Sequence, residues 1–202
     1  MTGITDADVV RQRIDHAAVQ ALAADAAVII AHNASFDRQI CEELWPIFAE
    51  KNWACSCHQV PWREEGHEGM KLGYLLIDCG YFHKGHRAID DCHALLQLLA
   101  RPLKTSGRLV LACLLETARK PTVRLSAQGA AFETKDALKG WGFRWSGPRR
   151  CWYMDCDENQ LEIERTFLSE TVYRRAITDL PVDRMTARDR FSARTNPEAP
   201  AA

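Results

Sequence analysis

No uninterrupted apolar run in this chain is long enough to cross a bilayer, and no secretory leader is recognisable. A cytoplasmic protein with no membrane partner is therefore expected. C-x₂-C pairs are also missing: the eight cysteines are scattered, and the one close cluster, Cys55-Ser-Cys57-His58, has C-x-C spacing. That spacing argues against a zinc knuckle and for reduced, buried thiols. A zinc module on Cys55, Cys57 and His58 is kept as the weakest rival. Nor is there a surplus of one charge. The chain has 26 Lys and Arg against 27 Asp and Glu, which neither demands nor excludes a nucleic-acid partner. No internal repeat is visible.

What is present is enough for one full domain and a small second one, since the chain has 202 residues and an ordinary apolar fraction of 47%. Charge is unevenly spread. From Arg119 to Trp152 there are eight Lys and Arg against Glu133 and Asp136, whereas the first hundred residues lean acidic. Thr5 is a candidate N-cap before Asp6, and a helix is expected over His16 to Ala24 with Ala17, Ala21 and Leu22 inward. Ala27 to Ala31 reads as a short strand buried on both sides. A helix from Ser35 to Ala49 follows, with Phe36, Ile40, Leu44, Ile47 and Phe48 at helical spacing and Pro46 tightening its end. A strand over Trp53 to Cys57, a polar loop from Trp62 to Gly69, and helices over 72–79, 88–99 and 108–119 complete an α/β layer.

Lys120-Pro121 marks the expected boundary. Beyond it the pattern is βαββα: a strand over 122–127, a helix over 132–141 closed by Gly142, a hairpin of 143–146 with 151–155, and a helix over 159–175. The tail from about Asp179 has no period and is expected to be disordered.

Two segments carry chemistry. Ala31-His-Asn-Ala-Ser-Phe-Asp37 places Asp37 in the first turn of a helix just past a strand, where the helix dipole favours an ionised carboxylate. The bland alternative is that Asn33 or Ser35 caps the helix and Asp37 merely complements its dipole. His86-Arg-Ala-Ile-Asp-Asp91 puts Asp91 in the first turn of the next helix, with His86 in the loop before it. That spacing suits an imidazole swinging over a metal fixed by Asp91 and taking a proton from a metal-bound water. The alternative is a capping histidine with a solvated acidic pair, and Asp90 is assigned to the surface on that ground.

Together the two segments resemble the second and third motifs of the 3′–5′ exonucleases of the DEDD superfamily, histidine-bearing branch, the proofreading exonuclease family of the DNA polymerase III epsilon subunit. Thr2-Gly-Ile-Thr5, Trp53-Ala-Cys-Ser, Lys71-Leu and Gly85-His-Arg-Ala also read as in that family. The resemblance covers about residues 1–118. It implies an RNase H-like fold, two Mg²⁺ or Mn²⁺ ions, Asp37 and Asp91 as metal ligands, and His86 as general base. It also implies DNA 3′ ends as substrate, with Asn33 against the strand. RNA stays open because nothing reads a 2′-hydroxyl, and so does a polymerase or repair partner. The family's first motif, Asp-x-Glu on the first strand, is not found in the sequence. An exonuclease domain lacking its first strands over 1–118 is therefore expected, with weak or no activity, because seating two ions takes about four carboxylates.

The module over 121–176 alternates Lys135, Lys139, Arg144, Arg149 and Arg150 with Trp141, Phe143, Trp145, Trp152 and Tyr153. Cations neutralise phosphates and exposed aromatics stack on bases, so these five cations are candidate strand contacts. Against that, a module this small needs aromatics for its own core, and Trp145 and Trp152 are assigned there. The different-class rival for the whole chain is a catalytically inactive nucleic-acid-binding or partner-binding remnant.

Overall fold

The computed structural model describes residues 3–82, 85, 87–147, 149–177 and 179–195. The chain divides into two compact units, 1–119 and 120–202. Eight α-helices, a two-stranded parallel sheet and a four-stranded antiparallel sheet make it a mixed α/β protein among the described residues.

In the first unit, α1 (Asp6–Val9) starts where the Asp8 carboxylate accepts hydrogen bonds from the Thr5 amide at 2.8 Å and its hydroxyl at 2.9 Å. Helix α2 (His16–Asp25) is capped by Asp15, whose side chain accepts from the Ala18 amide. Strand β1 (Ile29–Ala31) pairs in parallel with β2 (Trp53–Cys55), Ile30 opposite Ala54. Between them lie α3 (Ala34–Leu44) and a 3₁₀ turn over Pro46–Glu50. The break at Trp45 follows from Pro46, which offers no amide to continue the helix. Helices α4 (Leu72–Asp78), α5 (Ala88–Leu99) and α6 (Val110–Arg119) follow.

Pleating sends successive side chains of β2 to opposite faces. Ala54 joins Leu75, Leu76, Leu98, Val110 and Leu114 in the main core, with Ile30 beside it. Trp53 instead meets Phe48, and Phe48 meets Trp45, in tilted ring contacts at 6.0 Å each.

Three sequence expectations change here. Strand β1 is half-buried throughout, because β2 is its only neighbour among the described residues. In α2 the buried residue is Ala23, while Ala17 and Ala21 are exposed and Leu22 is 78% exposed. In α3 the apolar stripe Phe36, Ile40 and Leu44 points outward, and the helix buries Ala34 and Arg38. Arg38 is drawn inward because its Nε donates to Glu42 Oε1 at 2.6 Å and its guanidinium lies 5.6 Å from the Trp53 ring centre.

In the second unit the sheet order is β4 (Arg144–Ser146), β5 (Cys151–Cys156), β3 (Thr122–Ala127), β6 (Val182–Met185). Helix α7 (Lys135–Trp141) ends at Gly142, whose φ of +115° lies in the left-handed region that glycine enters freely. Helix α8 (Leu161–Phe167) continues as a π-helical stretch over Leu168–Tyr173. Val123, Leu125 and Ala127 pack with Leu138, Phe143, Leu161 and Leu168 into one core.

Part of the expected disordered tail is ordered instead, residues 182–195, while 196–202 lie outside the described residues. Residues 182–185 form β6, pairing antiparallel with β3, and the chain beyond engages buried groups of the same unit. Arg190 is buried and donates from Nη1 to the Lys120 carbonyl at 2.9 Å and to Thr122 Oγ1 at 2.8 Å. The Thr195 carbonyl accepts from Arg124 Nη1 at 3.2 Å. Composition without period does not reveal a strand of four residues whose partner lies sixty residues away.

Candidate functional site

Because β1 and β2 are parallel, both strands end on the same edge of their sheet, the edge where open α/β sheets gather ligands. The chain leaving β1 turns through His32 and Asn33. Asn33 takes the left-handed conformation, φ +81° and ψ +54°, which asparagine tolerates better than most residues. It is exposed, and its side chain does not cap α3; its Oδ1 accepts from Ser35 Oγ at 3.2 Å. The alternative in which Asn33 caps α3 is therefore not seen, and Asp37 is the acidic residue in its first turn.

Asp37 is half-buried, and burial raises its pKa above the ordinary carboxylate range. No cation is paired with it among the described residues. Burial and the Asp37 charge both push the nearby Cys41 thiol up. Asp91 is half-buried in the first turn of α5, its amide donating to the Arg87 carbonyl at 2.9 Å, and Asp90 beside it is exposed. The expected general base, His86, falls outside the described residues.

Mg²⁺ is usually held by one or two carboxylates with waters filling its octahedron, so Asp37 and Asp91 are candidate ligands for at most one such ion. They do not suffice for two ions. Among the described residues no group of three or more His, Cys, Asp or Glu is placed to hold a metal. Cys55, Cys57 and His58 form no such group. Cys55 is buried, with Sγ accepting from the Ala34 amide at 3.4 Å, and burial pushes the Cys57 thiol up to about 11. All eight cysteines are free thiols, as expected, but Cys92 is exposed on the outer face of α5.

The expected polar loop, Trp62 to Gly69, is firmly held together with its flanks from Cys57 to Tyr74. Trp62 is buried and donates from Nε1 to the Ser56 carbonyl at 2.7 Å. Glu65 accepts from the Thr105 and Ser106 amides at 3.0 and 2.9 Å, and buried His67 Nδ1 lies 2.6 Å from Asp78 Oδ2. A cavity of about 650 Å³ lies within this stretch. The one sequence signal for it is a tryptophan in the middle of a polar segment.

In the second unit the basic set divides. Arg144 bonds Asp155 at 2.9 Å and sits 5.0 Å from the Tyr153 ring centre. Arg149 pairs with Asp183 at 2.8 Å, and Lys135 sits 4.2 Å from the Phe132 ring centre. Lys139 and Arg150 are exposed. Of the aromatics, Phe143 and Tyr153 are buried, and Trp141 stacks on Phe167 at 4.2 Å while donating to Glu164. Trp152 packs against the core, but Trp145, assigned inward from the sequence, is 51% exposed and meets Trp152 edge to face. Its short edge strand β4 leaves that ring without a covering element among the described residues.

Comparison of the chain with protein-family models, curated proteins and solved structures finds no match in any of the three. The class that the fold itself defines is a mixed α/β protein with one small parallel and one antiparallel sheet, and no specific fold is identified. No helix among the described residues is long and apolar enough to cross a membrane.

Proposed function

We propose that this chain is a 3′–5′ exonuclease-family protein whose first unit, an RNase H-like layer, brings Asp37 and Asp91 to a divalent cation at DNA 3′ ends. One observation carries the reading. Asp37 is a half-buried carboxylate in the first turn of α3, destabilised in its charged form and paired with no cation among the described residues. Asp37 and Asp91, the latter also in a first turn, would hold a Mg²⁺ or Mn²⁺ ion, whose charge would offset that of Asp37. When bound, the ion stabilises the charge that develops on a phosphodiester under attack by water. His86 takes the proton from that water, and Asn33, exposed beside Asp37, contacts the strand. In the second unit Lys139 and Arg150, both exposed, contact the strand phosphates most directly. Lys135, Arg144 and Arg149 reach them only by leaving Phe132, Asp155 and Asp183.

Two carboxylates fall short of the two-ion site that fast phosphodiester hydrolysis uses, so the chain alone is expected to cleave weakly or not at all. The test is a 3′-labelled oligonucleotide incubated with the purified chain and Mg²⁺ or Mn²⁺. Weak cleavage that Asp91→Ala abolishes supports the reading, and cleavage unaffected by Asp37→Ala and Asp91→Ala refutes it. A second reading, an inactive nucleic-acid-binding protein, is favoured by the lack of any metal-ready group of three ligands among the described residues. Salt-dependent strand binding with no cleavage under any divalent ion distinguishes it.

A further inference from the structure

The cavity in the Cys57–Tyr74 stretch has a graded lining. Its floor carries the buried side chains of Val60 and Trp62. One wall is the ring of Tyr74, whose hydroxyl accepts from the Glu68 amide at 3.2 Å and whose Cδ1 lies so near Gly69 that a Cβ there would come within 3.2 Å of it. The exposed thioether of Met70 forms another part of the lining. The rim is charged, with Arg63 and Lys71 exposed among the carboxylates Glu64 and Glu68.

Its position is tied to the β1–α3 turn. His32, first residue beyond β1, bonds Ser56 Oγ at 2.8 Å through one ring nitrogen and the Met70 carbonyl at 2.8 Å through the other. The cavity wall is thus anchored to the turn that carries Asn33 and leads to Asp37, at the carboxyl edge of the parallel strands.

We propose that this cavity takes one unpaired nucleobase of a single-stranded nucleic acid, with the flanking phosphates held by Arg63 and Lys71. The substrate class rests on the exonuclease reading above; the fit rests on the cavity. About 650 Å³ lies within the range of small-molecule sites and has room for a base with its sugar. The Tyr74 ring and the Met70 thioether give a flat heterocycle faces to stack on, independent of sequence. Guanidinium and ammonium groups at the rim meet phosphate, and carboxylates beside them accept from the N–H groups of a base.

The test uses the full chain with its methionine methyls labelled with ¹³C. The chain has four methionines, of which Met70 lines the cavity and Met154 and Met185 lie in the second unit. Titration with thymidine monophosphate, and then with short oligothymidylate, is expected to shift the Met70 methyl and leave Met154 and Met185 in place. Abasic deoxyribose phosphate is expected to leave Met70 unmoved. Arg63→Glu with Lys71→Glu is expected to weaken oligothymidylate about tenfold and to cut the salt slope by about 1.4, the value for two phosphates of a single strand. Asp37→Asn should leave the Met70 shift intact, so loss of nuclease activity and loss of this site are read separately. A Met70 methyl that does not move, or that moves equally with the abasic compound, overturns the proposal.

Discussion

The Nε2 atom of His32 lies 2.8 Å from the carbonyl oxygen of Met70, across thirty-eight residues of chain. A carbonyl only accepts, so the proton of the neutral ring sits on Nε2, and Nδ1 accepts from the Ser56 hydroxyl. Burial also lowers the His32 pKa, which favours this neutral form. The pair fixes the wall of the 57–74 cavity to the turn that delivers Asp37.

His32 therefore titrates below its ordinary value of about 6.5. The unfolded chain takes up the proton first, so the stability it contributes is complete above about pH 6.5 and is lost as pH falls through that value toward the folded pKa. Long-range ¹⁵N–¹H spectra of the imidazole are expected to show the Nε2–H tautomer and a midpoint below 6.5. A midpoint above 6.5 or an Nδ1–H ring contradicts the arrangement.

Asp37 has the opposite linkage. Its folded pKa is raised, so its favourable contribution is full below the unfolded carboxyl value of about 3.8 and is lost as pH rises through the folded pKa. Asp37→Asn is expected to raise the urea midpoint of the metal-free chain at pH 7 and to change it little near about pH 3. A lower midpoint at pH 7 shows that the carboxylate has a structural partner.

Arg38 is 0% exposed and held between Glu42 and the Trp53 ring. Arg38→Ala leaves a cavity and takes the Arg38 guanidinium away from the largely buried Glu42, at a cost of roughly 3–5 kcal/mol. Replacing both, Arg38→Met with Glu42→Leu, is expected to cost much less. Urea unfolding followed by tryptophan fluorescence compares the two, and a single substitution costing under about 1 kcal/mol shows the pair to be dispensable.

The tail gives the clearest contrast between composition and structure. Ending the chain after Leu180 removes β6 and the buried guanidinium of Arg190, and uncovers an edge of β3. A loss of about 3 kcal/mol or more in the second unit is expected, read as hydrogen exchange at Val123 and Leu125. A change within about 0.5 kcal/mol, the usual size for an exposed segment, would mean the strand contributes nothing.

Most elements were legible where local signals were strong. Gly142 closes α7 as expected because it acts through its own backbone, whereas the helix expected to run to Ala49 ends at Leu44, since Pro46 does more than tighten it. Faces were less legible than elements. The Phe36, Ile40 and Leu44 stripe has the period of a buried face, yet Arg38 is the side chain taken inward, since Glu42 and Trp53 satisfy its charge. At the candidate site, Asp37 and Asp91 could be assigned to first turns from sequence alone. The tie of His32 to Met70 and the cavity beside it could not, because they join segments with no common period. Trp145 is exposed although the sequence assigns it inward, because aromatic content does not say which face of an edge strand is covered.

The most direct test of the proposed cation site is Mn²⁺ binding to the full chain, followed by electron paramagnetic resonance of the free ion. Asp37 and Asp91 on one ion predict that Asp37→Asn and Asp91→Asn each lower affinity by about tenfold or more, and that the double variant loses little beyond either single one. Binding that survives both substitutions, or losses that simply add, would contradict it.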